Sequence, residues 1–263
     1  MQRETLERLY SVAGKTVLVT GSSSGIGLML AEGFLAAGAR VYINSRNAQS
    51  LESVCARLNG RGEIFAITGD LSKPEGVETI VKTISEREPR LHVLINNAGI
   101  TWGAPFESFP AKAWSSVMSV NVQSPFALIQ GLLPALSAAA TVEDPARVIN
   151  IGSIYATTTH VMNAYSYAAS KAALQQLTRV LARELAPKSI LVNAIAPGLF
   201  PTKMTAFALR EADSRAEILA GIPLGRPGTA EDIAGLAIML SSRAGAYITG
   251  SIIPLDGGVL VHH

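Results

Sequence analysis

The chain has 263 residues, 48% of them hydrophobic, and a formal charge of 22 − 20 = +2. Such a length buries a sizeable core, and so small a charge excludes the dense basic surface of a nucleic-acid binder. The single cysteine, Cys55, excludes an intrachain disulfide and fits a reducing compartment. The first ten residues mix Arg3, Glu4, Glu7 and Arg8, with no apolar run of signal-peptide length. Residues 1–14 are read as an N-terminal extension and 15–263 as one domain. Strands are predicted at 16–20, 41–44, 64–68, 93–96, 148–151, 190–195 and 251–254, each followed by a longer helical pattern. The strands are continuous apolar runs, as expected when both faces are covered. Helical spacing is clearest in Leu174, Leu177, Leu181 and Leu185, and in Ile233, Ala237 and Leu240. The alternation implies an α/β fold, a Rossmann-type doubly wound parallel sheet of about seven strands with helices on both faces. Only 197–222 breaks the rhythm, and 199–222 is read as a substrate lid. No uninterrupted apolar run approaches ~18 residues. The best stretch, 127–140, is broken by Gln130, Gly131, Pro134 and Ser137, so a cytoplasmic protein with no membrane partner is expected.

Strand one runs into Thr20-Gly21-Ser22-Ser23-Ser24-Gly25-Ile26-Gly27, a GxxxGxG loop opening a helix. Glycines there permit a tight turn and close approach of a pyrophosphate, and the helix N-terminus offers free N–H groups. The serines add hydroxyl donors, one of which can cap the helix; an ordinary glycine-rich turn reads the same way. Further along come Asn96-Asn97-Ala98-Gly99 after strand four, Asn121 in a helix, and Ser153 past strand five. Tyr167-Ala168-Ala169-Ser170-Lys171 and Pro197-Gly198 follow. Tyr167 and Lys171, four apart, share a helix face, whereas Tyr165 lies six before Lys171 on another. A lysine ammonium ~5 Å from a phenol lowers its pKa by roughly two units at effective dielectric ~20, toward the range useful for proton transfer. Ser153 can donate to a carbonyl oxygen, although alone it reads equally as a cap.

Together these motifs resemble the short-chain dehydrogenase/reductase family in its compact form, over about residues 15–258. Within it the likeness is to bacterial β-ketoacyl (3-oxoacyl) reductases, with 195–204 and 253–258 most like the rhamnolipid-associated branch. The resemblance implies that Tyr167 gives the proton, Ser153 orients the carbonyl, Lys171 also grips the nicotinamide ribose, and Asn121 joins a water-linked relay. It implies cofactor contacts from Gly21, Ser23, Ser24, Gly25, Ile26, Gly27, Asp70, Leu71, Asn97, Ala98, Gly99, Pro197, Gly198 and Thr202. For Asp70 a local Asp turn is the competing reading. Tyr155 and His160, with Ser153 and Tyr167, are expected at the substrate.

Strand two ends in Asn44-Ser45-Arg46-Asn47. No acid is there to accept from a ribose 2′-hydroxyl, while Arg46 and Ser45 suit a 2′-phosphate. NADP(H) is therefore the expected cofactor, with NAD(H) the alternative, although Ser24 stands where many NADP-dependent members carry Lys or Arg. His92, His160, His262 and His263 lack metal-ligand spacing, and no metal is expected. The expected reaction is hydride transfer between the nicotinamide and a ketone or secondary alcohol (EC 1.1.1.-), on a 3-oxoacyl thioester or related small ketone. Rival readings are a polyol/sugar or hydroxysteroid dehydrogenase, a dehydratase or epimerase on the same Tyr–Lys pair, and a non-catalytic NADP-binding regulatory protein. Charged residues make up only 16%, below the usual quarter. Helices around 114–136 and 168–185 resemble the family's subunit-contact helices, so a homotetramer or homodimer is expected.

Overall fold

The computed structural model describes residues 3–159, 163–202, 205 and 212–261. Seven strands, β1 (Thr16–Val19), β2 (Arg40–Ser45), β3 (Ile64–Thr68), β4 (Val93–Asn96), β5 (Ala146–Ile151), β6 (Ile190–Pro197) and β7 (Ile252–Leu255), form one parallel sheet. Its order is β3-β2-β1-β4-β5-β6-β7. The predicted strands are all present, with ends displaced by up to two residues.

Alternate residues of each strand feed opposite sides of the sheet. Val17, Val19, Val41 and Ile43 pack with Leu30, Phe34, Ile233, Ala237 and Leu240 from helices α2 (Gly25–Ala36) and α9 (Ala230–Ser241). Leu18, Leu94 and Val148 pack with Ile80 and Ile84 of α4 (Pro74–Arg87), Leu128 and Leu132 of α6 (Ser124–Ala139), and Leu181 and Leu185 of α7 (Tyr165–Leu185). The architecture is a single Rossmann-like domain with helices on both faces. Helices α2 and α9 meet closely: a Cβ on Gly33 would stand 2.4 Å from the Ala234 Cβ. The remaining helices are α1 (Arg3–Tyr10), α3 (Ala48–Leu58), α5 (Ala111–Met118) and α8 (Ala212–Ala220).

Two expectations need correction. Strands β1, β4, β5 and β6 are buried along their length, but β3 and β7 are largely half-exposed. They lie at the two edges, where one side of each strand has no neighbour. Next, α5 and α6 fuse through a π-helical turn (Ser119–Gln123) into one helix, Ala111–Ala139, which by length and composition alone is apolar enough to cross a membrane. No uninterrupted apolar run marks it in the sequence, because isolated Gln and Ser residues dilute an otherwise apolar helix. It packs on α4, β4, β5 and α7 in the manner of a core helix. The expected lid falls partly outside the described residues.

Strand order reverses between β1 and β4, and a crevice opens beyond the carboxyl ends of the strands at such a point. The glycine loop follows β1 and the Asn97–Gly99 stretch follows β4. Ser153 lies two residues past β5, and Gly198 follows β6. The sheet therefore delivers nearly every singled-out residue to one end of the molecule.

Candidate active site

The glycine loop is held from within. Ser22 is buried; its hydroxyl donates to the Val19 carbonyl (2.8 Å) and accepts from the Asn44 N–H (3.0 Å). This serine ties the loop to β2 and is not a ligand donor. The Asn97 amide donates to the Thr20 (2.9 Å) and Gly21 (3.1 Å) carbonyls, and the Thr20 hydroxyl accepts from the Asn97 and Ala98 N–H groups. The Asn97 side chain thus braces the loop.

The glycines divide their work accordingly. Gly21 has φ +61°, and a Cβ there would stand 2.7 Å from the Ala98 Cα. At Gly27 a Cβ would stand 2.3 Å from the Asn97 Nδ2. Both are required by packing on the end of β4. Gly25, at φ +58°, faces Thr202, whose methyl would be 3.3 Å from an added Cβ. Ser24 occupies the N-cap position of α2, but its hydroxyl makes no capping bond, so the expectation of a serine cap fails there. Those amides, including Ile26 and Gly27, have no carbonyl within the helix to bind. Ile26 itself packs partly on the core.

At the end of β2 the Ser23 hydroxyl donates to the Ser45 hydroxyl (3.2 Å), and the exposed Arg46 has no ion-pair partner among the described residues. Two hydroxyls and an uncommitted guanidinium make a fit cradle for a 2′-phosphate. Asp70 accepts from the Ser72 N–H (3.0 Å) and hydroxyl (2.8 Å), so the local turn is present. Those bonds, then Arg46 and Lys73, hold its carboxyl below the usual range against the opposing effect of burial. The Leu71 side chain is buried in the core; of that expected contact only the main chain is available. Together the left-handed turn at Gly25, the uncapped start of α2 and the Ser23–Ser45–Arg46 cradle fit a phosphorylated dinucleotide.

On the far side of the switch point, Ser153, Tyr167, Lys171 and Tyr155 come together. The Ser153 hydroxyl accepts from the Tyr155 N–H (3.1 Å) and hydrogen-bonds the Tyr167 phenol. The Tyr155 ring stands edge-on to Tyr167, with centroids 6.1 Å apart. Lys171 is 4% exposed; its ammonium donates to the Ile151 carbonyl (2.7 Å) and lies 5.5 Å from the Tyr167 ring centroid.

The electrostatics correct the expectation about the phenol. Burial raises the Tyr167 phenol above 10, outweighing the hydrogen bond from Ser153 that pulls it down. Burial also lowers the Lys171 ammonium to about 8. In a moderately polar medium an ammonium at the hydroxyl would lower the phenol. In the structure desolvation works against both charged forms, and the ammonium is turned toward a backbone carbonyl.

Asn121 is fully buried on the π-helical turn, a feature frequent at functional sites. Its Oδ1 accepts from the Ile100 N–H (2.9 Å), and its Nδ2 donates to the Ile100 carbonyl (3.0 Å) and the Ser170 hydroxyl (2.9 Å). The side chain is spent on anchoring. A Cβ on Gly99 would stand 3.3 Å from the Asn121 Oδ1 and 3.5 Å from the Lys171 Nζ, so these two flank that glycine. Gly198 donates its N–H to the Leu255 carbonyl (3.0 Å) beside Pro197. Thr202 is braced by Thr205, whose hydroxyl accepts from the Thr202 N–H (3.0 Å). His160 lies outside the described residues. Gln175, not singled out from sequence, donates to the Ser153 carbonyl (3.0 Å); its one available signal was a polar residue on the buried face of α7.

A family model described as enoyl-(acyl carrier protein) reductase matches residues 21–260. The chain is 48% identical over 249 residues to the 3-oxoacyl-[acyl-carrier-protein] reductase of rhamnolipids biosynthesis from Pseudomonas aeruginosa, covering 95% of this chain and 97% of that protein. It is 34% identical over 262 residues to gluconate 5-dehydrogenase from Gluconobacter oxydans, covering 96% and 97%. Among solved structures, the Pseudomonas aeruginosa RhlG/NADP active-site complex superposes with TM-score 0.93 at 47% identity, covering 97% of this chain and 99% of that one.

Proposed function

The chain belongs to the short-chain dehydrogenase/reductase family, and on that footing we propose that it is an NADP(H)-dependent reductase of 3-oxoacyl thioesters or similar small ketones. The observation that carries this reading is the Ser153–Tyr167–Lys171 cluster, set across the sheet's switch point from a 2′-phosphate cradle. The identity to a 3-oxoacyl reductase, and the likeness to an NADP complex of that type, support the substrate and cofactor.

Gly25, Ser24 and the first turn of α2 would hold the pyrophosphate, with Ser23, Ser45 and Arg46 at the 2′-phosphate and Lys171 at a ribose hydroxyl. When bound, NADPH supplies the hydride. The Ser153 hydroxyl donates to the ketone oxygen and stabilises the charge that develops there. The Tyr167 phenol, kept protonated by burial, gives its proton to that oxygen as the alcohol forms. The buried Lys171 ammonium favours the phenolate left behind. Asn121 anchors the Ile100 main chain and Ser170, and so fixes the wall beside Lys171.

The same reading makes the protein a cytoplasmic homotetramer or homodimer. Its apolar 111–139 helix leaves Trp114 and Phe126 exposed, and α7 leaves Val180 exposed, a pattern suited to subunit contact. A light-scattering mass near 27.6 kDa contradicts the assembly.

The substrate test is NADPH oxidation across 3-oxoacyl thioesters, enoyl thioesters, 5-ketogluconate and simple ketones. The highest kcat/KM is expected for a 3-oxoacyl thioester. A preference for the sugar acid or the enoyl thioester overturns the substrate assignment, and turnover without net NADPH consumption overturns the reductase reading.

A further inference from the structure

Helix α7 carries two buried stripes. One is apolar, with Leu174, Leu181 and Leu185. The other is polar: Lys171, Gln175 and Thr178, at spacings of four and three, share a face and are all buried. Each polar side chain reaches β5 or the residues just past it. Lys171 donates to the Ile151 carbonyl (2.7 Å), and Gln175 Nε2 donates to the Ser153 carbonyl (3.0 Å). The Thr178 hydroxyl accepts from Asn150 Nδ2 (2.9 Å), and Asn150 Oδ1 accepts from Asn96 Nδ2 (2.9 Å). These bonds run between helix and strand and set how the two lie against each other.

Gln175 differs from the rest because its acceptor belongs to Ser153. We propose that Gln175 is a positioning residue: it fixes the Ser153 main chain so that the serine hydroxyl stays on the Tyr167 phenol and faces the ketone oxygen. This rests on the reading of Ser153 given above. Ser153 has an extended backbone, φ −167° and ψ 153°, in a broad basin that by itself leaves the residue room to shift. The tie narrows that basin. The Ser153 carbonyl also accepts from the Ala156 N–H (3.2 Å), and the Gly152 N–H donates to the Ile195 carbonyl (2.7 Å). The residue is therefore held on the β6 side through Gly152 and on the α7 side through Gln175. Gly152 makes the path for the amide: a Cβ there would stand 3.1 Å from Gln175 Nε2 and 3.2 Å from the Ile195 carbonyl oxygen. A glycine at 152 and a glutamine at 175 form one fitted pair. A polar side chain with 4% exposure is costly to bury unless its bond is made, and here the bond goes to the backbone of the residue proposed to polarise the substrate.

The test compares wild type, Gln175→Met, Ser153→Ala and the double variant. Methionine keeps the length of glutamine but donates nothing. We expect Gln175→Met to lower kcat about tenfold or more, the scale of a sub-ångström to ångström misplacement. NADPH affinity, read by fluorescence titration, should stay within about twofold. In the Ser153→Ala background the same change should cost less than about twofold, because the residue acts through the missing hydroxyl. Wild-type kcat in Gln175→Met, or an equal further loss in the double variant, overturns the proposal. Should Gln175→Met not fold, Gln175→Glu decides: a protonated carboxyl can donate to the Ser153 carbonyl and a carboxylate cannot. Its activity relative to wild type must then rise as pH falls from about 8 to about 5.5; a flat ratio overturns the proposal. A wild type as inactive as Tyr167→Phe refutes the parent reading instead, and is recognised as such.

Discussion

Lys171→Met should raise the melting temperature of the cofactor-free protein while abolishing its activity. In wild type the ammonium is buried, with the Ile151 carbonyl as its hydrogen-bond acceptor. Burial lowers its pKa from 10.5 to about 8. At about 1.36 kcal/mol per unit, holding the proton at pH 7 costs the folded state about 3 kcal/mol. Removing the amine also removes the bond to Ile151, worth about 1 kcal/mol, so the net gain is about 2 kcal/mol. For a chain of this size that is a rise of about 4 °C or more. The sign follows from proton counts. Between pH 8 and 10.5 the unfolded lysine keeps a proton that the folded one has released, so wild-type stability climbs across that window. The methionine variant lacks this climb. The gap between the two is therefore full below pH 8 and closes toward pH 10.5. Differential scanning calorimetry at pH 7 and pH 9.5 measures it. A variant that melts below wild type at pH 7, or a gap equal at both pH values, refutes the reasoning.

Three further outcomes follow from the site. Arg46→Ala should weaken NADPH binding about tenfold to a hundredfold, the worth of a charge-assisted phosphate contact, and leave NADH within about threefold; equal losses for both cofactors contradict the cradle. Gly27→Ala places a Cβ 2.3 Å from Asn97 Nδ2 and should break the brace on the Thr20 and Gly21 carbonyls, abolishing cofactor binding as read by fluorescence titration. The kcat/KM for NADPH should fall as pH rises through about 8, where free Lys171 loses its proton. Lys171→Arg should remove that limb, since a guanidinium stays charged throughout.

The sheet was legible because its strands are short β-branched runs and its helices are periodic. Leu174, Leu181 and Leu185 face the core as their spacing requires. The helix around 114–136 was legible, but the π-helical turn within it at Asn121 was not, since such a turn carries no local spacing signal. At the site, Tyr167 and Lys171 could be paired from a four-residue interval, and Ser153 by its place after a strand. The inward work of Ser22, Asn97 and Gln175 could not be read, because each bonds a backbone group more than twenty residues away in the chain or on a neighbouring strand, and no periodicity records such a partner. The phenol was misjudged for a related reason: sequence spacing supplies the distance between two charges but not how much water surrounds them.

The central claim is hydride delivery to a ketone whose oxygen is protonated from Tyr167. Its most direct measurement uses NADPH deuterated at the transferable position of the nicotinamide, a 3-oxoacyl thioester, and wild type beside Tyr167→Phe. The expected result is one deuterium on the new carbinol carbon per NADPH consumed with wild type, and a rate lower by about a hundredfold or more with Tyr167→Phe. Deuterium absent from that carbon, or a Tyr167→Phe rate equal to wild type, would contradict it.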